Sequence, residues 1–106
     1  MDYSNIIFVD VFEKDRTSYM LIKSSSNSDE VIKYNTKMYK EILKNMKTIT
    51  NIEVKNNTKI MVEFGDGYNY KYESFDQELI RRVKLRFEGL KLLNEELNTQ
   101  NKIKSK

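Results

Sequence analysis

The stretch Ile60-Met61-Val62-Glu63-Phe64-Gly65-Asp66-Gly67-Tyr68-Asn69-Tyr70-Lys71-Tyr72 decides how the chain folds. Apolar and polar residues alternate on both sides of a glycine pair, the pattern of a β-hairpin with one buried face. Two loops compete. A two-residue loop at Asp66-Gly67 sets Phe64 against Asn69 and Val62 against Lys71, and leaves Tyr70 and Tyr72 opposite Glu63 and Met61. A three-residue loop, Gly65-Asp66-Gly67 with Gly67 left-handed, pairs Phe64 with Tyr68, Val62 with Tyr70 and Ile60 with Tyr72. A slip of one residue moves a whole side-chain set to the wrong face, so the three-residue loop is predicted. It assigns Tyr68, Tyr70 and Tyr72 to the core and leaves Glu63, Asn69, Lys71 and Glu73 on the solvent side.

The same face extends outward in both directions. Upstream, Ile52 and Val54 alternate with Glu53 and Lys55, and Asn56-Asn57 is a turn signal that brings them opposite Val62 and Ile60. Downstream, Ser74 with Gln77 three residues later fits a capping box, and Asp76 and Glu78 lie near the positive end of the helix dipole. The predicted helix runs to about Leu97. Leu79, Ile80, Val83, Phe87, Leu90, Leu93 and Leu97 fall within an arc of about 140° at roughly 100° per residue, wide enough to cover the meander's apolar face.

The first half repeats the plan more loosely. A strand is expected from Asn5 to Phe12, a polar turn at Glu13-Lys14-Asp15-Arg16, and a second strand from Thr17 to Lys23. Both faces of this hairpin are largely apolar, whereas a sheet with one wet face alternates cleanly. The preferred reading buries both faces within the domain; the other leaves one face for a subunit or partner. Ser24-Ser25-Ser26-Asn27-Ser28-Asp29 reads as a connector. From Glu30 to Tyr34 either a helix capped by Asn27 or a short third strand is compatible. Asn35 would interrupt the apolar stripe of a continuous helix, which favours a strand followed by a helix from Thr36 to about Thr48. The expected fold is α+β: an antiparallel sheet of five to six strands in two β-meander-then-helix units. The long C-terminal helix packs across one face. Residues 1–98 form a single domain, and 99–106 a polar, basic tail.

With 106 residues the chain has room for one modest core. It has no Cys, His, Ala, Pro or Trp, and Lys outnumbers Arg by 15 to 4. The dominance of residues with AAN and ATN codons reads as an AT-rich genome, which suits an accessory or inhibitor protein of a phage or mobile element. The N-terminus has no basic region before its apolar run, so no signal peptide is expected. No stretch approaches the roughly 20 apolar residues that span a bilayer. A cytoplasmic location without membrane association follows as the default. Net charge is +3, with the strands neutral to acidic and the helices and tail basic.

Catalysis is not expected. Without His or Cys the usual general base and the strongest nucleophile are both missing. Asp10, Glu13 and Asp15 around the first turn read as a solvated acidic cluster rather than a hard-cation site, and Gly65-Asp66-Gly67 lacks the Lys-Ser/Thr of a phosphate loop. No cofactor, metal or small-molecule ligand is therefore expected.

Two surfaces stand out. Leu85, Gly89, Leu92 and Glu96 form one ridge (i, i+4, i+7, i+11) roughly opposite the main stripe of the last helix. Gly inside a helix costs about 1 kcal/mol relative to Ala and would let another backbone approach. The ridge either packs on the first helix of the same chain, the preferred reading, or is a self-association or partner seam. The second surface is cationic: Lys37, Lys40, Lys44 and Lys47 on the first helix, Arg81, Arg82, Lys84, Arg86 and Lys91 on the last, and Lys102 and Lys104 beyond it. On the last helix these alternate with Glu78, Glu88, Glu95 and Glu96, as on an ordinary solvated face. The resulting expectation is a small interaction protein that binds another macromolecule. A protein partner is favoured, with a homodimer compatible, and a sequence-tolerant nucleic-acid binder is the alternative.

Overall fold

A computed structural model describes residues 3–104, with side chains described over residues 3–99. Six strands and two helices follow in the order β1 (Ile6–Lys14), β2 (Thr17–Ser24), β3 (Glu30–Lys33), α1 (Thr36–Asn45), β4 (Ile49–Lys55), β5 (Lys59–Phe64), β6 (Asn69–Glu73) and α2 (Gln77–Lys104). The fold is α+β, and the βββα plan occurs twice. The strands form two three-stranded antiparallel sheets, β1-β2-β3 and β4-β5-β6, rather than one sheet of five or six. The chain divides into two compact units: Met1–Lys47 with Leu93–Lys106, and Thr48–Leu92.

In the second unit the register is the one the tyrosines dictate. Ile60 pairs with Tyr72, Val62 with Tyr70, Ile52 with Val62 and Val54 with Ile60. The loop has three residues and Gly67 is left-handed at φ 92°. Phe64 N–H donates to the Tyr68 carbonyl at 2.9 Å and Gly67 N–H to the Phe64 carbonyl at 3.0 Å. The Asp66 carboxylate accepts from Tyr68 N–H at 3.0 Å, which fixes the turn locally. Ile60, Val62 and Phe64 are buried, whereas Tyr68, Tyr70 and Tyr72, expected in the core, are only half-buried on or next to the edge strand β6; the Tyr70 ring meets Phe87 of α2 with centroids 5.9 Å apart. The opposite face carries Asn51–Glu63–Asn69 and Glu53–Met61–Lys71 in register, and all of these but Met61 are exposed. Lys71 Nζ lies 3.1 Å from the Glu73 carboxylate. With Lys59 also nearby, it holds Glu73 below its ordinary value of 4.5.

The start of α2 corrects the expected cap. Asp76, not Ser74, is the N-cap: its carboxylate accepts from the Glu78 and Leu79 N–H groups at 3.1 and 3.2 Å. Ser74 Oγ instead accepts from Asp76 N–H, closing the turn before the helix. Phe75 precedes the cap, where a hydrophobic staple would form with Ile80. Phe75 is 98% exposed and Ile80 is buried, so no staple forms. The helix also continues past Leu97 to Lys104, through most of the segment expected as a tail.

In the first unit β3 precedes α1, as the stripe interruption at Asn35 implied. Asn35 is the N-cap, with its side chain accepting from Met38 N–H at 2.9 Å. α1 ends at Asn45 rather than Thr48. It packs on β1 and buries Ile42 and Leu43, with Met46 buried just beyond its end. Asn94 is buried in this unit; its amide donates to the Leu43 carbonyl at 2.8 Å, satisfying an acceptor in the last turn of α1. Among the described residues no buried side-chain nitrogen or oxygen lacks a partner.

Candidate interaction surfaces

Register settles which side chains share a face of the first sheet. Val9–Ile22–Glu30 and Val11–Met20–Ile32 form the rungs of one face, and Asp10–Leu21–Val31 and Phe12–Tyr19–Lys33 those of the other. The first set faces α1: Ile22, Glu30 and Met38 line one cavity of about 210 Å³, and Val9 and Met20 are fully buried. The second set is the outer face. Near its base Phe8 is buried. Further along, Phe12 is 38% and Val31 57% exposed, and Tyr19 and Leu21 are half-buried. The Phe12 and Tyr19 rings stack with centroids 5.7 Å apart. Burial of both faces therefore holds only at Ile6–Val9; toward the hairpin tip both faces open, with Val11 exposed on the α1 side and Phe12 and Val31 exposed on the outer, apolar one.

The two sheets make an internal comparison. Each is a three-stranded meander with a helix against one face. The outer face of the second bears Asn51, Glu53, Glu63, Asn69 and Lys71 around a half-buried Met61, close to the alternation water selects. The outer face of the first bears Phe12, Tyr19, Leu21 and Val31 in the corresponding middle rungs, bordered by Asp10, Lys23 and Lys33.

The ridge on α2 is not packed away. Leu85 is 60% and Leu92 64% exposed, Glu96 is exposed, and a Cβ added at Gly89 would meet nothing within 4 Å. The buried positions of α2 are Ile80, Phe87, Leu90 and Asn94, with Val83 and Leu97 half-buried. Leu93, expected in that stripe, is 36% exposed, because the centre of the stripe passes through Asn94.

The cationic residues do not form one surface. Lys37, Lys40 and Lys44 are exposed on one face of α1, with Glu41 beside them. Lys47 is half-buried. On α2, Arg81 is ion-paired with Glu78, and Lys84 lies 3.9 Å from Glu88. Arg82 is exposed, and Arg86 and Lys91 are half-buried at other angles around the helix. The side chains of Lys102 and Lys104 lie outside the described residues.

Asp10, Glu13 and Asp15 are divided between the two faces and the turn, and among the described residues no three such groups are spaced to hold a metal ion. The serine segment closes on itself, Ser24 Oγ accepting from Asn27 N–H at 3.0 Å, and forms part of the cavity wall beside Ile22. Among the described residues no helix is long and apolar enough to cross a membrane. Comparison with known protein families, curated proteins and solved structures finds no match.

Proposed function

We propose that this is an interaction protein without catalytic activity, and that it docks another protein on the outer face of its first sheet. The observation that supports this is the contrast between the two outer faces. Exposed apolar side chains occurring singly need no explanation. Here Phe12, Tyr19, Leu21 and Val31 sit on adjacent rungs of one face, while the other sheet is polar at the matching rungs except for a half-buried Met61 on its central strand. A contiguous apolar patch with a charged border is what protein interfaces present, aromatic residues at the centre and polar ones at the rim. Occupying a target's surface in this way suits an accessory or inhibitor role.

The aromatic pair also has the form of a base-stacking platform, but such platforms run between cationic side chains along a groove. On this face Lys33 and Lys23 are accompanied by Asp10, and Lys23 is already paired with Asp29. The surface is therefore read as protein-binding.

The test is capture from the native cell extract with immobilised wild type and with Tyr19→Ser/Val31→Ser. The expected result is one dominant polypeptide, lost with the variant and indifferent to salt between about 50 and about 200 mM. Binding of nucleic acid that falls steeply over that range, the signature of phosphate contacts, would overturn the reading in favour of the α1 lysines.

A further inference from the structure

We infer that α2 carries a second interface, for another copy of this chain, and that the two helices meet antiparallel and cross at Gly89. The observations are the exposed ridge and the order of charges along it. Leu85 and Leu92 are both more than half exposed on either side of Gly89, whose hydrogen faces open space. Before this apolar segment the helix presents Arg82, and after it Glu96, both exposed. Arg82 and Glu96 stand seven residues to either side of Gly89, two turns away in each direction.

A two-fold interface must be self-complementary: if residue i meets residue j, then j meets i. An antiparallel pair centred on Gly89 satisfies this. It sets Arg82 against Glu96 of the second copy twice, and Leu85 against the second copy's Leu92 and Leu93 twice. A parallel pair would set Arg82 against Arg82 and Glu96 against Glu96. The helix dipole does not account for this order of charges, since it favours acid at the start and base at the end and acts only over the terminal turns. The missing side chain at Gly89 lets the backbones approach at the crossing point, which offsets the cost of glycine in a helix.

This interface uses different residues from the outer face of the first sheet, so either can fail without the other. Sedimentation equilibrium over a range of protein concentrations tests it with three variants. Wild type is expected to pass from monomer to dimer as concentration rises. Gly89→Glu places two like charges on the symmetry axis and is expected to be monomeric throughout. It adds a better helix former in open space, so at concentrations where wild type is itself monomeric the thermal midpoint should not fall. Arg82→Glu and Glu96→Arg should each be monomeric alone, while an equimolar mixture of the two should recover the dimer. The two positions are about 21 Å apart on one helix, so recovery on mixing is possible only between chains. Wild type monomeric at every concentration overturns the interface. So does a dimer insensitive to Gly89→Glu, or single charge variants that fail to recover on mixing.

Discussion

Arg16 occupies a conformation that its side chain disfavours. The β1–β2 turn places Asp15 at φ 51° and Arg16 at φ 65°, and the β4–β5 turn places Asn56 and Asn57 at 54° and 57°. Asn and Asp tolerate the left-handed region through local hydrogen bonds, but a long side chain pays the full steric penalty there, about 1 kcal/mol. Arg16→Gly is therefore expected to raise stability by about 1 kcal/mol, read as a higher urea midpoint at an unchanged slope. Gly67, at φ 92° with nothing within 4 Å of an added Cβ, gives the converse: Gly67→Ala should lower stability by about 1 kcal/mol through backbone strain alone. Asn94 is the polar residue on which α1 depends. Asn94→Leu keeps the volume but leaves the Leu43 carbonyl without its donor, with an expected loss of about 1–3 kcal/mol in the same measurement.

At the scale of elements, legibility follows from how many constraints act on each one. β5 and β6 could be read to the individual pair because only one loop length puts Val62, Ile60 and the tyrosines on the same side. β3 and the start of α1 were legible for a related reason: a polar Asn35 fits the apolar stripe badly but fits an N-cap well. The cap of α2 was misread because Ser74 and Gln77 match the capping-box spacing, while the stronger acceptor, Asp76, lies immediately before the first helical residue. The buried stripe of α2 was drawn through Leu93 because an apolar count passes over asparagine; nothing local marks Asn94 as a buried donor. The outer face of β1 and β2 was the least legible element. A strand apolar on both sides is compatible with full burial or with a waiting partner, and only the register with β3 separates the rungs.

One element-scale consequence concerns pH. Lys71, by hydrogen bond and charge, and Lys59 hold Glu73 below its ordinary value at the end of β6. A carboxylate with a lowered folded-state pKa stabilises the fold above its unfolded value, and that contribution is lost as pH falls through the folded one. Glu73→Gln should therefore flatten the acid-side fall in urea midpoint between about pH 6 and about pH 3. Both side chains are more than half exposed, so added salt should shrink the difference between variant and wild type.

At the scale of the molecule, the repeated βββα plan gives two sheets, each with a helix on one face and a second face left over. Sequence patterning exposed the plan, and it exposed the α2 ridge, because both are periodicities within one element. The first sheet's outer face depends on three strands combining, and its significance comes from comparison with the second sheet. Apart from Met61 the solvent-facing rungs of the second sheet are polar, so nothing in the supersecondary plan itself demands Phe12 and Val31 at the surface beside Tyr19 and Leu21. The most direct measurement is site-specific photo-crosslinking in the native cell extract. The photoreactive residue is placed at Val31 in one preparation and at Glu53, also exposed, on the second sheet's outer face in another. A single adduct of defined mass from position 31, absent from position 53, is the predicted result. Equal labelling from both positions, or none from position 31, would contradict the assignment of the first sheet as the docking face.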